Sequence, residues 1–135
     1  MSVEAMLRTH PRPPIAELAV LAACIDECVA CAAVCTICAD ASAAEDDVAA
    51  MVRCIRLCLD CADACTDAAR ILSRQTDPDA ETQLLALEAC LAVCRACAAE
   101  CEHHAHRHEH CRLSAEECRR CERTCADLLV ALNAS

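Results

Sequence analysis

Apolar and polar residues alternate in steps of three and four along most of the chain, which is the period of an amphipathic helix. Four such segments are separated by short breaks. Pro11, Pro13 and Pro14 close an irregular N-terminal arm over residues 1–13, and the first helical pattern runs from about Pro14 to about Asp40. Ser42 and Glu45 have the spacing of a capping box, so a second helix is expected from near Ala43 to about Ser73. Asp77 followed by Pro78 reads as an N-cap and first-turn proline, opening a third helix that reaches about His104. Ser114 with Glu117 suggests a further capping box and a fourth helix ending near Leu132. Short connections favour antiparallel neighbours, so residues 14–135 are predicted to form an all-α, up-down-up-down four-helix bundle.

What occupies the inward positions is unusual. The first helix carries Cys24, Cys28, Cys31, Cys35 and Cys38; the second carries Cys54, Cys58, Cys61 and Cys65. The third has Cys90, Cys94, Cys97 and Cys101, and the last segment has Cys111, Cys118, Cys121 and Cys125. Steps of three and four put each set on one face of its helix, where a bundle would ordinarily carry leucine. Ser114 stands where the last stripe calls for another cysteine. Leu18, Leu21, Leu72, Leu84, Leu87, Leu128 and Leu132 continue the stripes at one end as an aliphatic plug. At the other end Cys38, Asp47, Met51, Cys101, His104, His108 and Cys111 make a polar mouth.

Composition narrows the class further. The length of 135 residues suits one domain. Of its 77 hydrophobic residues, 30 are Ala and 17 are Cys, and Phe, Tyr, Trp, Gly and Lys are absent. That rules against β architectures, Gly-rich phosphate loops and base-stacking surfaces. A net charge of −10 argues against nucleic acid or an anionic membrane as partner. The segment MSVEAMLRTHPRPP has no apolar core of an export signal and no twin arginine. No apolar stretch reads as long enough to span a bilayer, so the cytosol, where thiols stay reduced, is the expected compartment.

Cysteine as a small core hydrophobe accounts for one or two residues, not for four aligned stripes. A disulfide scaffold conflicts with the compartment and with an odd cysteine count. Soft thiolates select Cu(I), zinc or iron–sulfur clusters. A zinc site closes with four ligands, and neither it nor a cluster calls for a stripe about 21 Å long at ~1.5 Å per residue. Buried thiols must be neutral without metal, and each Cu(I) replaces one proton and leaves the lining near neutrality. Multiple Cu(I) ions per chain are therefore the favoured ligand. A thiol redox protein or sensor, or a zinc or iron–sulfur bundle, is the alternative; the acidic surroundings and inward phase disfavour an exposed low-pKa thiol.

The repeated CxxxCxxCxxxC pattern, running from Cys24 to Cys125, resembles the bacterial copper storage proteins, and its setting resembles their cytosolic branch. The resemblance implies a four-helix bundle holding many Cu(I) ions, a homotetramer, and histidines at the mouth. The matching residues here are His104 and His108, which continue the Cys90–Cys101 stripe. Asp47, Met51, His103, His106 and His110 are weaker candidates. Glu100 and His103 spell the ExxH of di-iron bundles, but a second ExxH and further inward carboxylates are missing. No paired-carboxylate or Ser/His/Asp arrangement stands out, so no enzyme is expected. Copper ions are the expected partners, with a copper chaperone or small carrier delivering them. A second apolar line, Val52, Ile55 and Leu59 with Val34 and Ile37, predicts association with further copies of the chain.

Overall fold

Alanine, leucine, arginine and glutamate without a single glycine leave few places for a helix to stop, and the stops that exist divide the chain. A computed structural model describes residues 2–134; Met1 and Ser135, the ends of the two segments drawn above, lie outside them. The described helices are α1 (Val3–Arg8), α2 (Leu18–Ala43), α3 (Val52–Ser73), α4 (Ala80–His104) and α5 (Glu109–Asn133), with a 3-10 turn at Val48–Met51 before α3. Each of α2 to α5 packs against its sequence neighbours, and α5 returns to α2, closing an antiparallel ring of four. The expected bundle is therefore present.

Its helix ends differ from the expected ones, and each difference has a local cause. The arm read as irregular contains α1, capped by the Ser2 hydroxyl on the Ala5 N–H, with Val3 and Leu7 resting on the core. Ser42 caps nothing: it lies on the Cys38 face of α2, fully buried, so core packing carries that helix on to Ala43. Asp79, rather than Asp77, caps α4 by accepting from the Thr82 N–H at 3.0 Å, while Asp77 turns the chain at φ +49°. Ser114 is likewise interior, and α5 begins at Glu109. The helix α2 is also long and apolar enough to cross a membrane, with mean hydropathy 2.1, contrary to the sequence expectation. Alanine and cysteine supply that hydropathy, and here the helix forms one wall of the bundle.

One end of the ring is sealed. Leu21, Leu72, Leu87 and Leu128 are fully buried there, with Leu132 packed against them. Two buried glutamines complete the seal. Gln83 donates to the carbonyls of Ile71 and Arg74, and Gln75 donates to that of Leu72, which satisfies groups left open at the end of α3. Gln75 in turn accepts from the Ile15 N–H at 2.9 Å, tying the N-terminal segment across this end. Arg95–Glu122 (2.9 Å) and Arg119–Glu102 (2.8 Å) link α4 to α5 on the surface, where such pairs add little.

Glu117 is a strained point in this framework. It is buried on α5, one carboxylate oxygen accepts from Arg120 at 3.0 Å, and Oε2 has no partner among the described residues. Burial pushes its pKa up, against Arg120 and with Glu27. The folded state thus holds this proton more tightly than the unfolded chain, and the stability it contributes at low pH is lost as pH rises through the raised value. Glu117→Gln is expected to raise the melting temperature of reduced, metal-free protein at pH 7.5 by a few degrees, about 1 kcal/mol being worth roughly 4 °C at this size. The gain should shrink at pH 4; a lower melting temperature at pH 7.5 would contradict this account.

Candidate metal centre

All seventeen cysteines are buried and unpaired as disulfides, and every stripe faces the axis of the bundle. Their sulfurs form a near-continuous network. At the sealed end Cys24 lies 3.7 Å from Cys125, which is 3.8 Å from Cys90. Further along, Cys65 meets Cys94 at 3.7 Å and Cys35 meets Cys118 at 3.5 Å; toward the mouth Cys58 meets Cys101 at 3.7 Å. Four sets of four thiols have all their sulfurs within 4.8 Å of one another: Cys28/Cys90/Cys121/Cys125, Cys31/Cys65/Cys94/Cys121, Cys31/Cys35/Cys61/Cys118 and Cys38/Cys54/Cys58/Cys101. The first three sets are linked through Cys121 and Cys31, and the fourth, nearest the mouth, shares no member with them. Metal–sulfur bonds of about 2.3 Å separate sulfurs by roughly 3.8 Å around a tetrahedral ion, 4.0 Å around a trigonal one and 4.6 Å around a linear one. The network is therefore pre-spaced for soft metal ions that share thiolates.

Charge inside this lining is set by burial and by the thiols themselves. Cys24 is pushed above its ordinary range, first by its contact with Cys125 and then by burial. Cys111 is pushed up to about 12 by Cys38 and burial, although Cys54 opposes this. Cys31, Cys35 and Cys90 are exceptions in the interior, the first two held low chiefly by Cys118 and the third by Cys121. The more informative exception is Cys38 at the mouth. Cys101, Cys111 and Cys54 lie close around it, and their thiols hold its pKa low despite burial.

The histidines divide differently from the sequence expectation. Helix α4 stops at His104, and His108 is the extended residue before α5, so the α4 stripe does not continue through it. His104 Nε2 lies 2.8 Å from Glu100 on its own helix. His108 is clamped between Glu45 (2.8 Å) and Asp47 (3.1 Å). The ring that reaches the thiols is His110: its Nδ1 is 3.5 Å from Cys38 and 3.5 Å from Cys111. Its Nε2–H donates to Glu45 at 2.8 Å, which leaves the Nδ1 lone pair of the neutral ring facing the two sulfurs. Stacking on His108, with centroids 5.4 Å apart, fixes the ring plane. The adjacency of His110 to Cys111 was visible in the sequence; the chain reversal that turns it inward was not. His103 and His106 are exposed, Met51 is fully buried in phase with Cys54, and Asp47 also pairs with Arg107. Glu100 serves His104 and Arg53, so the ExxH pair is not assembled toward a second carboxylate site.

A family model described as copper storage protein matches residues 18–130. The chain is similar to the copper storage protein Ccsp from Streptomyces lividans loaded with 10 copper equivalents, at 47% identity and a TM-score of 0.94, covering 97% of this chain and 100% of that one. A structure described as copper loading to a cytosolic copper storage protein from the same organism, with five coppers, matches at 51% identity and TM-score 0.82, covering 83% and 93%. A histidine-to-alanine variant of Ccsp matches at 49% and 0.86, covering 87% and 98%. No curated protein matches the sequence.

The mouth geometry has a measurable consequence. Burial opposes charge on His110, yet Cys38 and Glu45 together raise its pKa above the ordinary value. In an NMR titration of reduced, metal-free protein this ring should titrate above the usual histidine range, and Glu45→Gln should bring the midpoint down. A parental midpoint at or below that range would contradict the assigned contacts.

Proposed function

The chain belongs to the copper storage protein family, and from that premise and the sulfur network we propose that it stores Cu(I) in the cytosol as thiolate-bound cargo. One observation supports this above the rest: sulfurs 3.5–4.0 Å apart continue through the bundle from Cys24 to Cys101, a lining far larger than a single metal site needs. Residues 14–135 are the storage domain, the arm of residues 1–13 is an added segment whose Val3 and Leu7 rest on it, and the seventeen cysteines are the ligands. Each Cu(I) displaces a thiol proton, so loading fills the interior with neutral copper–thiolate units. The reading assigns the protein no catalysis.

Copper is admitted and released at the mouth. Cys38 as a thiolate, with Cys111 and His110, offers a first three-ligand site there, and His104 and His108 stand beside it on their carboxylate partners. The sealed end offers leucine side chains and glutamine-satisfied carbonyls instead. Delivery is by a copper chaperone or a small copper carrier. Of the second apolar line, Ile37, Val52 and Leu59 are exposed at 45–66% of their surface, as is Val29, whereas Val34 and Ile55 are half-buried; the exposed four support burial between copies in a homotetramer.

Anaerobic Cu(I) titration of the reduced protein tests the storage reading: saturation is expected at roughly one ion per thiol, on the order of 15–20 per chain. A plateau at one to four ions would overturn it. Replacing His104 and His108 with Ala should change the rate of loading or of removal by a chelator, with a loss of only a few ions. Leu21→Ala with Leu128→Ala should leave those rates much less affected if the bundle stays folded. Faster exchange through the leucine variant, with parental exchange in the histidine variant, would place the door at the other end. Light scattering at micromolar concentration checks the tetramer, and a monomeric mass would contradict it.

A further inference from the structure

The α5 stripe reads Cys111, Ser114, Cys118, Cys121, Cys125, and the serine is as deeply buried as the cysteines around it. Its hydroxyl accepts from the Cys101 thiol at 3.6 Å and lies 3.9 Å from Cys35. Cys101 belongs with the sulfurs nearest the mouth: Cys38, Cys54 and Cys58 are within 4.8 Å of it, and Cys97 is 4.0 Å away. Cys35 belongs with the deeper set, beside Cys31, Cys61 and Cys118. Ser114 therefore stands between two groups of thiols, at the one level where α5 contributes oxygen to the lining. The two groups meet through Cys97, 4.0 Å from Cys35 and 3.6 Å from Cys58, and through the contact of Cys35 with Cys58; the Cys35–Cys97 step is at the long end of the sulfur spacings.

We infer that Ser114 is a waist in the copper store, dividing it into an outer compartment behind the mouth and an inner one toward the leucine seal. A neutral hydroxyl is a hard donor that does not ionise at physiological pH and holds Cu(I) poorly beside thiolate. An ion moving inward exchanges one sulfur for the next, and on every other level α5 offers a sulfur for that exchange. At Ser114 the ion must pass by way of the sulfurs on α2, α3 and α4, chiefly Cys97 and Cys35. The Cys101 S–H is also directed to the hydroxyl, so that proton must leave before Cys101 takes part. Copper reaches the outer compartment first, and the inner thiols fill or empty through the waist. The displaced thiol protons go to solvent, one for each Cu(I) bound, and no electron is transferred.

This inference rests on the storage reading and is tested separately from it. Reduced, metal-free protein is mixed anaerobically with a Cu(I) chelate, and copper–thiolate absorbance is followed in time and then again as a strong chelator removes the metal. The parent should load in two phases. Ser114→Cys, which restores a sulfur at the waist, should speed the slow phase by at least about fivefold and add about one ion to the capacity. Ser114→Ala, which adds no ligand, should keep a slow phase no faster than the parent's, and circular dichroism checks that both variants remain helical. A parent that loads many ions in a single phase overturns the waist and leaves storage intact. So does a folded Ser114→Cys variant whose slow phase keeps the parental rate. A parent that saturates at a few ions overturns the storage reading itself.

Discussion

Sulfur touching sulfur along the axis of the bundle is the contact on which the other features depend. A cysteine side chain buries less apolar area than leucine, so a core built from seventeen of them gives up part of the driving force that normally holds four helices together. The rest of the chain makes up for this in ways that need no metal. Alanine-rich helices without glycine form readily, and small residues such as Ala68 and Ala98 let the helices approach closely. Leucines are concentrated at one end, where Leu21, Leu72, Leu87 and Leu128 are wholly removed from water. The Gln75–Gln83 clamp then satisfies the carbonyls that such a closed end would otherwise strand.

The same contact dictates the electrostatics. Burial disfavours charge on every packed thiol, contacts between them push some up and others down, and a lining of bare thiolates would repel itself apart. Where thiolate is favoured at the open end, at Cys38, the His110 ring stands against it, and carboxylates hold the histidines from the far side. Glu45 holds both His108 and His110, Asp47 holds His108, and Glu100 holds His104. Acidic groups therefore surround the door of a protein with an overall charge of −10, which raises the local concentration of cations there. The imidazoles stand between that field and the soft interior.

The stripes were legible in the sequence because spacings of three and four state directly which side chains share a helix face. The antiparallel order, the thiol interior and the leucine seal follow from that geometry. What was not legible lay where a residue's local preference and its stripe position disagree. Ser42 and Ser114 both look like N-caps three residues before a glutamate, yet both lie on the buried face, and burial overrode capping. Gln75 and Gln83 carried no periodic signal; their role arises from carbonyls that become strandable only once α3 ends against α4. His110 ranked below His104 and His108 because the stripe of α4 was extended past His104, where the helix ends.

That ending explains how the storage bundle has a chemically distinct door at all. Had α4 run on through His108, its last turns would have projected beyond the ring and carried the histidines away from the sulfurs. Instead the chain reverses within four residues, between His104 and Glu109, and α5 starts with Cys111 already at the level of Cys38 and Cys54. The reversal brings His108 and His110 back over the opening as a stacked pair, with Glu45 and Asp47 from the α2–α3 connection pinning them from the other side. Two loops thus meet above the outer thiols, each supplying what the other lacks: rings from one, carboxylates from the other. The periodic part of the chain builds the thiol interior, and the two interruptions at this end give it a chemically distinct opening.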